Sequence, residues 1–407
     1  MTELLSPAGT YEKMVTAFEY GADAVYFAGK RFGLRAFAGN FSDEEIIKAS
    51  EYAHNLGKKV YVTINIIAHE SDFTGLEEYL HFLEQAKVDA VIVADVGIAL
   101  FVKQHSSLEL HISTQANILN SYSANFFATL GAKRLVLARE LSLAEVKKIR
   151  QALPDDVELE VFVHGAMCIS YSGRCLLSNY LSGRDSNRGL CVQSCRWEYT
   201  VKEKSRTGEG LEIQEDEKGT YIFNSKDMNL LSHIGDLLDA GINSFKIEGR
   251  MKSQYYVANV TNAYRRAIDS YQQNPNDWKV SEELEAELLK SSHRDYTSGF
   301  MFGDFQKEKL ETSSPMQTHK FVGVILQDAK DGYVLMEQRN RFKVGDTLEV
   351  LSFGENFNKQ ILIKDLKSED GQEVPDARFV NQRLILKTDL PLIKGEILRI
   401  KEDVDLE

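Results

Sequence analysis

The chain has 407 residues, more than one typical domain needs, and 43% are hydrophobic, enough to bury a substantial core. No apolar run approaches the roughly 20 residues of a membrane span, and residues 1–7 carry neither a basic nor an apolar leader, so a cytoplasmic protein without membrane association is expected. The net charge of −13 excludes nucleic-acid binding through overall electrostatics and leaves room only for a local basic face.

Through the first two thirds of the chain a short apolar run alternates with an amphipathic stretch of helical period. The runs are ELLSPAG from Glu3, DAVYFAG from Asp23, KKVYVTIN from Lys58 and DAVIVAD from Asp89. LELHISTQ from Leu108, KRLVLARE from Lys133, VELEVFVHG from Val157 and NSFKIEGR from Asn243 follow. They are continuous and rich in β-branched residues, as parallel strands covered on both faces are. The intervening helices have capping-box starts at Ser42/Glu45 and Ser142/Glu145 and glycine stops at Gly21, Gly57, Gly131 and Gly241. Eight such units predict a (β/α)8 TIM-type barrel over residues 1–275, with an open doubly wound sheet as the alternative. No GxGxxG or phosphate loop follows a strand, which removes the dinucleotide-binding class.

The alternation breaks once. Between Gly165 and a helix expected near Asp227 lie about sixty residues, where loops of two to six are usual. This large insertion after strand 7, residues 165–226, sits on the face where barrels place active sites. Residues 202–219 within it are polar and read as a hairpin tip. Beyond the barrel, residues 276–314 read as a helical linker. Residues 315–407 turn to short strands with turn glycines, a small antiparallel β-barrel.

All four cysteines of the chain, Cys168, Cys175, Cys191 and Cys195, fall in the insertion, spaced C-x6-C-x15-C-x3-C. Cysteine used only as a small core residue would be scattered, so clustering asks for a metal. Soft thiolates select zinc or iron–sulfur. The CVQSC pair suits zinc, whereas the wider first pair suits an iron–sulfur cluster, and both remain open on spacing. Arg174, Arg184, Arg188 and Arg196 stand in the same stretch against the single acid Asp185, a locally basic face that an anionic substrate would fit.

Polar residues at the strand ends should line the barrel mouth: Asn65, Asp95, Gln115, Arg139, Glu140, His164, Lys246, Glu248 and Arg250. Arg139 and Arg250 are candidates for phosphate or carboxylate, which guanidinium grips in a fork. An Arg139–Glu248 ion pair is the plain structural alternative. His164 is a candidate proton donor or extra ligand, or simply a hydrogen-bonded strand-end histidine. With Glu248 it completes the expected catalytic set His164, Arg139, Glu248 and Arg250. Tyr171 and Trp197 are placed to stack on an unpaired base, with Arg174, Gln115 and Asn65 as further substrate contacts. There is no HExxH and no GxSxG in the chain, so neither common hydrolase arrangement is present.

The segment EVFVHGAMCISYSGRCLLS, with Glu160, Phe162, Gly165, Cys168, Gly173, Cys175 and Ser178, resembles the signature of the collagenase-like peptidase family U-thirty-two. ELLSPAG, FGLRAF, STQAN, LARELSL, CRWEY, FNSKDM and SFKIEGRMKS resemble the same family. Its most similar branch is that of the prephenate-dependent tRNA hydroxylation proteins. The resemblance implies a 4Fe-4S cluster on Cys168, Cys175, Cys191 and Cys195, with zinc as the alternative. It also implies hydroxylation of the wobble uridine of tRNA at carbon 5, prephenate as co-substrate and the anticodon loop as partner. Inherited alternatives are a peptidase, or an RNA-binding subunit with a structural cluster and a paralogous partner protein.

Overall fold

A computed structural model describes residues 2–32, 39–168, 170–186, 190–196, 215–216, 219–220, 226–303 and 316–402. Eight parallel strands form the barrel: β1 (Glu3–Pro7), β2 (Ala24–Phe27), β3 (Lys59–Ile64), β4 (Ala90–Val93), β5 (Glu109–Ile112), β6 (Arg134–Val136), β7 (Glu158–Ala166) and β8 (Ser244–Ile247). They pair in sequence order, and β8 bonds both β1 and β7, so the sheet is closed and the open-sheet alternative is excluded. Each of the eight apolar runs becomes one of these strands.

The helices through the barrel are α1 (Tyr11–Glu19), α2 (Asp43–Asn55), α3 (Leu76–Gln85), α4 (Val96–His105), α5 (Ser121–Leu130), α6 (Leu143–Ala152), α7 (Leu177–Ser182), α8 (Ile234–Asp239) and α9 (Gln254–Gln273), followed by α10 (Glu282–Leu288) and the single turn α11 (Gly299–Phe302). Both expected capping boxes form, Ser42 with Glu45 and Ser142 with Glu145. The outward face of the strands packs on the helices, while the inner layer is Leu5, Ala24, Tyr26, Tyr61, Ala90 and Ile92. Below that layer the barrel is ionic. Arg134 binds Glu3, Glu158 and Glu160, and Lys246 Nζ reaches Glu160 at 2.8 Å. Burial alone would raise the Glu160 carboxyl, but Lys246 and Arg134 beside it hold it below the ordinary carboxylate range.

Two differences from expectation matter for the site. Asp227 does not open a helix. Residues Asp227–Asn229 form a short strand antiparallel to the end of β7, and α8 starts only at Ile234. The segment read as a helical linker also contributes a strand, Tyr296–Thr297, parallel to Asp227–Asn229. The end of β7 already carries a partner there, and pairing its exposed edge satisfies backbone groups that a helix would leave to solvent. In the C-terminal region seven antiparallel strands curl into a half-barrel around Val322, Met336, Leu348, Val350, Leu384 and Leu398.

Candidate active site at the barrel mouth

The cysteine segment leaves β7 and folds back over the mouth. Gly165 permits the exit: its φ is +105°, and a Cβ there would lie 2.6 Å from the Glu248 carbonyl. The chain then crosses to the end of β5, where Asn117 Nδ2 donates to the Ser172 carbonyl at 3.2 Å. Gly173, at φ +72°, lies directly on the Gln115 side chain. Further on, the buried Ser178 of α7 clasps the segment to itself. Its Oγ donates to the Arg184 carbonyl at 2.8 Å and accepts from the Val192 amide at 3.2 Å. Ser186 Oγ donates to the Cys175 carbonyl. Five of the seven residues of the sequence signature therefore have a structural task. Glu160 anchors the interior ions, Phe162 lies under the Arg139 guanidinium at 4.0 Å, and the two glycines and Ser178 shape the loop.

None of the four cysteines is in a disulfide; Cys168 and Cys191 are exposed, and Cys175 and Cys195 half-buried. The Gln193 amide donates to Cys191 Sγ at 3.4 Å, a contact that offsets thiolate charge. Among the described residues no three His, Cys, Asp or Glu side chains converge as a metal-ligand group. The donor set itself, four thiols in one folded segment beside exposed arginines, has the chemistry of a thiolate-bound cluster.

The expected mouth residues divide. Asn65, Gln115, Arg139 and Glu248 are at the rim. Arg139 does not pair with Glu248 in any hydrogen bond or salt bridge of the described residues. Its Nη1 donates to the Ala166 carbonyl at 2.6 Å. Burial raises the neighbouring Glu140 carboxyl above its ordinary range, against the opposing pull of Arg139. Glu248 accepts from Tyr26 Oη at 3.4 Å. Arg250 is buried, with Nη1 on Thr63 Oγ1 at 3.2 Å and Nη2 on Asn40 Oδ1 at 3.4 Å, so it ties strand ends together beneath the surface. Lys246 is spent on Glu160 inside the barrel. Asp95 caps α4 through the Gly97 and Ile98 amides.

His164 does not face the mouth. Phe162 pairs with Lys246, but the following pair is His164 with Ile247, so a β-bulge passes over Val163 and resets the alternation. The imidazole turns outward into a cage of Tyr256, Tyr264 and Tyr296, its Nδ1 3.3 Å from Tyr264 Oη. Burial, with Lys252 and His293 adding, lowers its pKa to about 3, so the ring is neutral.

Tyr171 and Arg174 are exposed on the loop, and Trp197 lies outside the described residues. Three participants were given no role by sequence reasoning. Asn117 has φ +55°, a left-handed residue whose amide supports the loop. Its only signal was its place in the STQAN segment. Ser178 is legible only as part of the signature. Tyr180 is 87% exposed on α7 beside the cysteines, one of two tyrosines there and unremarkable in the sequence.

Fold and site together define a (β/α)8 barrel whose mouth is covered by a cysteine-bearing loop after β7. The chain belongs to Peptidase family U32, whose model matches residues 9–311, with the family's C-terminal domain at 317–399. It is 40% identical to tRNA hydroxylation protein P1 of Bacillus subtilis over 98% of this chain and 94% of that protein. It is 40% identical to the 23S rRNA 5-hydroxycytidine synthase of Escherichia coli over 66% of this chain and 39% of that one. It is 33% identical to a collagenase of Porphyromonas gingivalis over 74% of this chain and 73% of that one. Among the described residues no helix is long and apolar enough to cross a membrane.

Proposed function

We propose that this protein is a tRNA hydroxylase that converts the wobble uridine to 5-hydroxyuridine. The observation that carries this reading is the end-to-end identity with a protein named for tRNA hydroxylation. A second relative named for 5-hydroxycytidine extends the chemistry to carbon 5 of a pyrimidine. Cys168, Cys175, Cys191 and Cys195 would hold a 4Fe-4S cluster. Such a cluster supplies electron-transfer capacity that side chains lack. The remaining work belongs to the chain's own residues. Tyr171, with the newly recognised Tyr180, offers exposed aromatic faces to splayed anticodon bases, and Arg174 and Arg184 stand beside them for phosphate. Arg139, braced by Phe162 and Ala166, points a guanidinium into the mouth for a phosphate or for the carboxylates of prephenate, the co-substrate in this reading. His164, caged and neutral, supports the β7 exit and does not transfer protons to substrate.

Mass spectrometry of tRNA nucleosides tests this. Deleting the gene should abolish 5-hydroxyuridine-derived nucleosides, the intact gene should restore them, and Cys168→Ala should not. Unchanged nucleosides in a strain lacking every paralogue would refute the proposal. The collagenase relative motivates a second reading, peptidase activity. Gelatin cleavage that survives replacement of all four cysteines would favour it.

A further inference from the structure

Beneath the cysteine loop lie three side chains, two amides and a guanidinium, whose hydrogen bonding is incomplete. Asn117 Nδ2 donates to two carbonyls, that of Gln115 at 2.8 Å and that of Ser172 at 3.2 Å. Both amide protons are thereby committed, so the orientation is fixed and Oδ1 is an acceptor. That oxygen is buried and accepts no hydrogen bond among the described residues. Along the rim, Asn65 Nδ2 donates to Gln115 Oε1, and Asn65 Oδ1 is likewise buried with no donor. On the next strand end Arg139 Nε is a buried donor with no acceptor, while its Nη1 is held by Ala166. Buried polar groups are costly to leave unpaired, and sites that keep several of them together are sites built for a ligand.

The pattern states what ligand fits. Two neutral amide oxygens call for N–H or O–H donors, which disfavours an ionised phosphate or carboxylate at that point. The neighbouring Arg139 Nε calls for an acceptor oxygen. Uracil carries both on one edge, an imide N3–H between two carbonyls. Cytosine carries its donor on the exocyclic 4-amino group and an acceptor at N3, so with O2 held at Arg139 it would set lone pair against lone pair at Asn117. We propose that Asn117, with the Asn65–Gln115 pair beside it, reads the imide N–H of a uracil base, and that Arg139 donates to an oxygen of the same nucleotide. The loop supplies the roof, since Gly173 lets its backbone lie on Gln115. This deepens the uridine reading above and rests on it for the identity of the natural substrate.

The test uses the full chain titrated with UMP and CMP by calorimetry. The parent should bind UMP about ten-fold more tightly than CMP, the discrimination expected of one buried hydrogen bond against a mismatched partner. Asn117→Gly suits φ +55° without strain and should reduce the preference to within about two-fold. Asn65→Ala, on a different strand end, should narrow it too and serves if the glycine variant fails to fold. Equal binding of the two nucleotides by the parent, binding of neither, or a preference that survives both substitutions would overturn the proposal. A UMP preference lost in Asn117→Gly, in a protein whose deletion leaves tRNA nucleosides unchanged, would sink the tRNA reading alone.

Discussion

His164 shows how one residue's surroundings decide its use. The strand pattern points it into the mouth, and the bulge at Val163 delivers it to the tyrosine cage instead. Its folded pKa of about 3 lies below the unfolded value near ~6.5. Between those values the unfolded chain binds a proton that the folded chain does not. The stability associated with the neutral ring is therefore complete above about pH 6.5 and falls as pH drops toward 3, by at most ~1.4 kcal/mol per pH unit. His164→Phe should flatten the dependence of the thermal midpoint on pH between 4 and 6. An unchanged slope would mean that the ring is not buried as described. Cysteine clustering was visible in the sequence because it is a matter of composition. The placement of His164 was not, because a bulge depends on how two strands pair.

Elements here are set by short-range rules and then re-used. Capping boxes at Ser42 and Ser142 and left-handed glycines at Gly21, Gly57, Gly131 and Gly241 begin and end helices where local chemistry says they should. The cysteine segment obeys no such period. Its shape comes from side-chain bonds to backbone carbonyls, two within the segment from Ser178 and Ser186 and one from Asn117, 55 residues away. Ser178→Ala removes a donor to the Arg184 carbonyl and an acceptor for the Val192 amide, two part-buried hydrogen bonds worth about 0.5–1.5 kcal/mol each. Iron and acid-labile sulfide per chain after anaerobic purification should fall by more than half, while barrel unfolding monitored by circular dichroism stays near that of the parent. Full retention of iron would show that the clasp does not shape the cluster segment.

At the scale of the whole molecule, the C-terminal half-barrel is bolted to the barrel by one buried cation. Arg399 forms a two-pronged ion pair with Glu287, and also bonds Glu349, Asn259 and Asn358. Tyr20 of α1 adds its hydroxyl to the Leu351 and Gly395 carbonyls. Removing one partner of a buried ion pair costs about 3–5 kcal/mol when the other charge is left alone. Lys290, 3.0 Å from Glu287 and 2.7 Å from Glu349, keeps part of the pairing, so the lower end, about 3 kcal/mol, applies. Arg399→Ala should lower stability by that amount in urea unfolding and split the transition into two steps, the half-barrel melting first. A single transition at the parent midpoint would show that the two parts are held together by their apolar contacts instead.

The sequence by itself determined the eight strand–helix units, their caps, the oversized loop after β7 and the clustering of its four cysteines there, because periodicity, turn chemistry and spacing act within a few residues. Only the tertiary structure decided that the sheet closes, that Asp227 begins a strand, that Arg250 and Lys246 are spent on holding the barrel, and that His164 looks away from the mouth. Those outcomes turn on pairing between segments far apart in the chain. The amides of Asn65, Gln115 and Asn117 belong to the same class. Three ordinary polar residues became a candidate base-reading edge only when two strand ends and the cysteine loop were brought together.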